Sequence, residues 1–276
     1  MPEPATRYTG LVLAARRPGI LDPLARAAGV SHKCMVPIHG KAMLERVVGA
    51  LLDSGCCKHV YICIDQPEAL KSNVKLTGWL ADRLLTTVPA VGNLADSVVS
   101  VAEKIPDQDW PILISTGDNA THTPEIIRDF ATGSLRTGAE VTLGITREEV
   151  VIATIPEAGK AFHRVKDGGF SSCNLYALSS KRALKTVEVF RGGGQFGKRH
   201  RRILKSFGLV PFILYKLKLV TIEGIAHRIG KGFGVSVAPV FLPYDYGPID
   251  VDDQVSFDLT EKILKKREGP ILRSEE

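Results

Sequence analysis

PILISTGDNATHTP, residues 111–124, reads as a buried strand that runs into a polar turn and then into a helix. Ile112, Leu113 and Ile114 form a short apolar run with a β-branched bias, as expected of a strand covered on both faces. Gly117 breaks the run, and Asp118 follows at the strand's carboxyl end. Thr123-Pro124-Glu125 predicts a helix start, with Thr123 as cap, Pro124 at the first helical position and an acid in the first turn. Open α/β sheets bind ligands beyond the carboxyl ends of their strands, so Asp118 sits where chemistry is usually done. Its carboxylate, with hydroxyls at Ser115, Thr116 and Thr121, suits a hard cation such as Mg²⁺. The alternative is an aspartate that only closes an Asx turn.

Outward from this stretch, strands and helices alternate. Residues 8–15 (YTGLVLAA) predict a first, central strand, and residues 16–30 a long loop carrying Arg16 and Arg17. Residues 42–54 predict a helix with Met43, Val47, Ala50 and Leu51 on one face, stopped by Gly55. A second strand at 60–64 ends at Asp65; a helix near 68–80, a short strand near 84–88 and a helix at 94–104, entered through Gly92-Asn93, follow. Beyond the central stretch come a helix at 124–135 and a strand at 140–145. This alternation predicts an α/β fold with a mostly parallel, Rossmann-like mixed sheet flanked by helices. After Arg147 the pattern changes. Residues 150–155, 162–166 and 173–178 read as strands joined by short turns, a smaller mixed or antiparallel portion on the acceptor side of a cleft. Residues 181–191 and 221–231 predict helices, 234–242 a strand and 256–266 a closing helix.

At 276 residues, 44% apolar and 24% charged, the chain predicts one soluble domain, 1–276, with an ample core. No run approaches the ~20 apolar residues of a membrane span, and the first residues do not read as a secretory signal. Five cysteines without a CxxC predict neither a disulfide framework nor a zinc site and fit a reducing cytoplasm. Cys34, beside Lys33, is either a low-pKa thiol or a half-buried structural cysteine. His32, His39 and His122 read as surface or turn residues.

The net charge is +6, yet residues 191–231 hold ten Lys or Arg against one acid, which alone gives +9. The basic character thus belongs to a helical insertion, residues 192–232. It has few aromatics and no known motif for stacking on nucleic acid, so that partner is not expected. Residues 196–218 join a cationic cluster to an apolar stretch, which suits peripheral contact with an anionic membrane. A solvated surface, a cover over the cleft and a dimer contact are the other readings.

The first strand and its loop carry the strongest signal. GLVLAA runs into Arg16 and Arg17, and Lys33 precedes the turn Pro37-Ile38-His39-Gly40-Lys41. A loop here, rich in backbone donors and cations, is how α/β proteins hold a nucleotide's phosphates. Neither GxxxxGK[ST] nor GxGxxG is present.

LVLAARR followed by HKCMVPIHGKAMLERVVGALLDSG resembles the signature LAAGxGxRM…PKxLxPVxGKPxLxxVxxxLxxxG of the MobA-like nucleotidyltransferase superfamily, whose fold is of the GT-A type. Three later stretches fall in the order that family has: Gly92-Asn93-Leu94-Ala95-Asp96-Ser97, Ser115-Thr116-Gly117-Asp118, and Ile249-Asp250-Val251-Asp252-Asp253. The match covers residues 8–146 and 234–266, with a weaker echo at 170–176 (FSSCNLY).

The resemblance implies in-line attack of an acceptor phosphate oxygen on the α-phosphorus of an NTP, with pyrophosphate leaving. Positioning and charge neutralisation would supply most of the catalysis. Carried over by position, Lys33 with Arg16 or Arg17 would contact the phosphates, beside the backbone of Leu13, Ala14, Ala15 and Gly117. Asp118 and Asp252 would hold Mg²⁺, with Asp250 as the other candidate in the last motif. Asn93 and Ser97 would lie near the base or sugar, and Asn174 and Lys41 would face the acceptor. The family's first glycine is Arg16 here, and the loop from Ala15 to Lys33 is several residues longer. The resulting expectation is a Mg²⁺-dependent transfer of NMP from an NTP, CTP or GTP before ATP, to a sugar, polyol or lipid-headgroup phosphate. The alternatives are a GT-A-like glycosyltransferase using a nucleotide-sugar and a non-catalytic nucleotide-binding or membrane-associated regulator.

Overall fold

The first strand, β1 (Tyr8–Leu13), is paired in parallel on both sides. The computed structural model describes residues 8–16, 19, 21–158, 162–190 and 217–270. In it a hairpin of β2 (Pro37–Ile38) and β3 (Lys41–Ala42) follows the first loop. The main sheet adds β4 (Cys57–Ile64), β5 (Leu85–Pro89), β6 (Ile112–Thr116), β7 (Val141–Arg147), β8 (His163–Val165), β9 (Gly168–Leu178) and β10 (Val237–Phe241). Its order is β10-β7-β9-β6-β1-β4-β5, with β8 on β9. The pairs β1–β4, β1–β6, β4–β5 and β7–β10 are parallel. β9 is antiparallel to β6, β7 and β8. The sheet is thus the expected mixed, mostly parallel one. Its antiparallel strand, however, is slotted into the middle and does not form a portion of its own.

Alternation along the central strands builds a core on each face. On β1, Val12 joins α2 (Met43–Asp53) and α5 (Pro124–Thr137) through Val47, Leu51, Ile127 and Phe130. Its neighbour Leu11 points the other way, to α4 (Leu94–Lys104) through Val98 and Val101. Leu113 and its neighbours Ile112 and Ile114 divide between the same two clusters. Each such side chain contributes ~1.5–3 kcal/mol by leaving water. Gly10 fits β1 against β4, since a Cβ there would stand 3.0 Å from Val60 Cγ2.

Several local expectations change. The loop after β1 contains a short helix, α1 (Pro23–Ala27), for which Asp22 accepts from the Leu24 N–H as cap and Pro23 opens the first turn. The helix near 68–80 is broken into a 3₁₀ turn, Pro67–Ser72, and α3 (Val74–Ala81), because Asn73 leaves the helix to cap α3. Residues 150–155 are not a strand: α6 (Glu148–Thr154) and its cap Ile155 occupy them. The β-branched run Val150-Val151-Ile152 misleads there, but Glu148 and Glu149 suit a helix N-terminus, and Val151 alone in this helix is fully buried. Lys181–Phe190 is a 3₁₀ run in place of an α-helix.

Of the basic insertion, residues 192–216 lie outside the described residues, as does most of the membrane-contact stretch 196–218. α7 (Ile222–Phe233) belongs to its described part and is capped by Thr221 and by Gly234 at φ 67°. α8 (Gln254–Glu268) closes the chain. No helix among the described residues is long and apolar enough to cross a membrane. The five cysteines are free and buried.

Candidate active site

Parallel register aligns three strand ends. Leu13 pairs with Cys63 of β4 and with Thr116 of β6. Ala14–Arg16, Asp65 and Gly117-Asp118 therefore leave the sheet along one edge, at the point where chain order reverses on either side of β1. The Gly117 N–H donates to the Leu13 carbonyl at 2.9 Å. A Cβ on Gly117 would come within 3.1 Å of Cys34 Cβ and 3.4 Å of the Leu13 oxygen. Glycine is what lets the turn, the first strand and the Lys33–Met35 segment lie against one another.

Asp118 receives the Thr116 hydroxyl on Oδ1 at 2.7 Å and the Lys33 ammonium on Oδ2 at 2.8 Å. Lys33 Nζ also lies 3.5 Å from Asp252 Oδ1. Two carboxylates from distant parts of the chain thus converge on one cation. Burial pushes the Asp118 carboxyl up, but the charge and hydrogen bond of Lys33 and the Thr116 hydroxyl outweigh it and hold it below the usual range. Burial pulls Lys33 down, and the facing acids Asp118, Asp252 and Asp22 more than restore it. Both groups are charged at neutral pH.

Asp252 reaches this place because the segment before α8 is laid along the turn after β6. The Val251 N–H donates to the Asp118 carbonyl at 3.1 Å, and Thr121 Oγ1 and Asn119 Nδ2 donate to the Ile249 carbonyl at 3.2 and 3.4 Å. Asp253 caps α8, accepting from the Ser256 N–H. Asp250 points elsewhere: its Oδ2 accepts from Asn174 Nδ2 at 3.2 Å. The same amide donates to Asn119 Oδ1 at 3.1 Å. Asn174 holds φ at 52° inside β9, a left-handed conformation that costs a non-glycine residue of order 1 kcal/mol and clusters at functional sites.

Asn119 is fully buried and joins Thr116, Asn174 and Ile249, yet nothing in the sequence pattern marked it. Asp65, noted in sequence only as a strand end, binds the Arg16 N–H at 3.1 Å and Arg16 Nε at 2.8 Å. His32 is buried and meets the same carboxylate at 2.8 Å, so it is no surface histidine. His122 is buried too, donating Nε2–H to the Gly247 carbonyl at 3.1 Å. His39 sits in the expected turn with φ 46°, before Gly40 at φ 78°, and is buried as well. Cys34 is fully buried, and burial pushes its thiol up to about 12, which removes the reactive-thiol reading.

Asn93 and Ser97 hold the entry to α4. Asn93 Oδ1 accepts from the Ala95 and Asp96 N–H groups in a capping box. Ser97 is buried, donating to the Val91 carbonyl at 2.8 Å and accepting its N–H at 3.1 Å. Lys41 is exposed on β3, and its charge is felt by Glu268 at the end of α8. Arg17 lies outside the described residues.

Among the described residues no group of three or more His, Cys, Asp or Glu side chains is arranged to hold a metal. The pair Asp118 and Asp252 is nevertheless a hard, oxygen-only donor set already facing a positive charge. Two carboxylates completed by substrate phosphates is the kind of set Mg²⁺ uses, so the residues fit that ion.

A switch point that brings the cationic loop after β1 against two carboxylates, in a mostly parallel α/β sheet, is the kind of strand edge at which such proteins hold phosphorylated ligands. The chain belongs to the MobA-like NTP transferase family, whose domain description matches residues 11–207. It is 27% identical over 135 residues to 2-C-methyl-D-erythritol 4-phosphate cytidylyltransferase of Saccharopolyspora erythraea, a match covering 48% of this chain and 58% of that relative's length. The fold is similar to that of a hypothetical transferase from Thermus thermophilus (TM-score 0.71, 22% identity, covering 91% of this chain and all of the other). It is also similar to 4-diphosphocytidyl-2C-methyl-D-erythritol synthase of Anaerococcus prevotii (TM-score 0.57, 10% identity, 94% and 99% covered). A third is CMP:2-keto-3-deoxy-manno-octonic acid synthetase complexed with CTP (TM-score 0.57, 12% identity, 95% and 100% covered).

Proposed function

We propose that this chain transfers NMP from an NTP, CTP before GTP, to a phosphorylated sugar or polyol and releases pyrophosphate. The observation that carries the reading is the Lys33 ammonium, held 2.8 Å from Asp118 and 3.5 Å from Asp252 at the mouth of the switch point. The preference for CTP draws on the similar proteins: a cytidylyltransferase, a 4-diphosphocytidyl-2C-methyl-D-erythritol synthase and a CMP:2-keto-3-deoxy-manno-octonic acid synthetase complexed with CTP.

Lys33 is anchored, charged and only part-exposed, so an arriving triphosphate meets a fixed cation and not a floppy one. When the phosphates dock, Lys33 exchanges a carboxylate oxygen for a phosphate oxygen and Arg16 approaches from the other end of the loop. Their charge opposes what builds on the α-phosphoryl oxygens as the acceptor oxygen attacks in line. Asp118 and Asp252 would hold Mg²⁺, which supplies Lewis-acid neutralisation of those oxygens. Asn174, kept in its left-handed conformation by Asn119 and Asp250, would orient the acceptor.

The test is a pyrophosphate-release screen of four NTPs against sugar, polyol and choline-type phosphates, with nucleotide-sugars as a separate arm. Turnover of one NTP with one phosphate acceptor, lost on removing Mg²⁺, is the expected result. NDP or NMP release from a nucleotide-sugar would replace the reading by glycosyl transfer. NTP binding without turnover in any arm would leave a nucleotide-binding regulator.

A further inference from the structure

Asp65 Oδ2 accepts from Arg16 Nε at 2.8 Å and Asp65 Oδ1 from the Arg16 N–H at 3.1 Å. Oδ1 also meets His32 Nε2 at 2.8 Å. One carboxylate, at the carboxyl end of β4, therefore grips Arg16 near the start and His32 at the end of the long segment between β1 and Lys33. We propose that Asp65 is the positioning residue of the phosphate-binding loop, setting Arg16 through its guanidinium and Lys33 through His32. The inference rests on the nucleotidyltransfer reading above and adds to it a residue outside the family motifs.

At the Arg16 end the contact is side-on. Asp65 takes Nε, and among the described residues no hydrogen-bond partner takes the Nη1 and Nη2 donors. A guanidinium held this way keeps its fork free for the planar, two-point contact that phosphate oxygens favour. It also loses most of its rotamer freedom before substrate arrives. This suits an arginine standing where the family has a glycine: with a side chain there, phosphates meet guanidinium donors where the family offers backbone.

At the other end, a carboxylate only accepts, so His32 Nε2 carries the proton shared with Asp65. Nδ1 then faces the Ser31 hydroxyl at 2.8 Å. The His32 carbonyl accepts from the Met35 N–H at 3.0 Å, and the Lys33 carbonyl from the Val36 N–H at 3.0 Å. His32 is thus the fixed end of the turn from which Lys33 reaches Asp118 and Asp252. Burial pushes the Asp65 carboxyl up, and the Arg16 N–H with the bond and charge of His32 outweighs that and holds it low, so the brace is ionised.

The experiment measures binding of CTP, CMP, GTP and GMP by titration calorimetry with Mg²⁺, in wild type, Asp65→Asn, Arg16→Lys and the double variant. Wild type should prefer triphosphate over monophosphate. Asp65→Asn should lower triphosphate affinity by about ten- to a hundredfold, the worth of a hydrogen bond to a charged group, with monophosphate affinity nearly unchanged. Arg16→Lys keeps the charge but loses the side-on contact and should show a similar loss. The double variant should be little worse than either single one, because both act through one guanidinium. Asp65→Glu should recover part of the loss. Triphosphate preference unaltered in Asp65→Asn, or fully additive losses, overturns the inference alone. If Asp65→Asn fails to fold, unaltered preference in Arg16→Lys overturns it. A wild type with no triphosphate preference overturns the nucleotidyltransfer reading and this inference with it.

Discussion

The Val251 N–H donates to the Asp118 carbonyl at 3.1 Å. Through this bond the two acidic motifs, one after β6 and one before α8, are held in fixed relation. Asp252 lies one residue further on and faces the same ammonium as Asp118.

Asp252 and Asp250 of the last motif should separate functionally. Asp118→Asn and Asp252→Ala should each lower pyrophosphate release by roughly a hundred- to a thousandfold, as loss of a charge-stabilising group does. Asp250→Ala releases Asn174 and should act chiefly through KM for the acceptor. Steady-state kinetics with each substrate varied distinguishes them; loss in Asp250→Ala with none in Asp252→Ala would reverse the assignment.

Asn93 offers a test of cap against base contact. Asn93→Ala should cost about 1 kcal/mol and lower Tm by a few degrees, whereas Asn93→Ser keeps the cap and should be close to wild type in stability. If CTP affinity falls equally in both variants, the amide also touches the nucleotide. Equal affinity in all three confines Asn93 to the helix end.

Gly117→Ala should both destabilise and deactivate. The new methyl would press on Cys34 Cβ at 3.1 Å and the Leu13 oxygen at 3.4 Å. Overpacking of this kind costs typically 1–3 kcal/mol, and here it pushes apart the two segments that carry Lys33 and Asp118. Thermal unfolding and CTP titration read the two effects.

His122 predicts a pH dependence of stability. Burial lowers its pKa from 6.5 to about 4. Between these values the unfolded chain binds a proton that the folded chain does not, so stability is full above about pH 6.5 and falls as pH drops towards 4. The loss is of order 3 kcal/mol. Denaturant unfolding from pH 7 to 4 should show a shallower slope in His122→Gln, and an unchanged slope would refute the assignment.

The fold was legible where short-range signals and long-range packing agree. Thr123-Pro124-Glu125 begins α5, Asn93 begins α4, and the apolar run of β1 lies inside the sheet, paired on both sides. It was illegible where packing overrode a local pattern, as in the β-branched run that forms α6, and where a break was one residue long, as at Asn73. At the candidate site, the meeting of Lys33, Asp118 and Asp252 could be expected from motifs because charge at a strand end or helix start has a recognisable place. Asp65, His32 and Asn119 could not, since each matters through a partner far away in sequence. For Asp65 the signal was present but general: an acid at the carboxyl end of a strand beside β1.

The place of β9 bears on how the chain matures. β7 follows α5 in the chain, yet it borders β6 nowhere; β9 fills the gap between them. During synthesis the half-sheet of β6, β1, β4 and β5 must therefore wait with an open edge until residues 168–178 emerge. A nascent chain halted at residue 158 should need a chaperone, while one extended past residue 241 should close on its own.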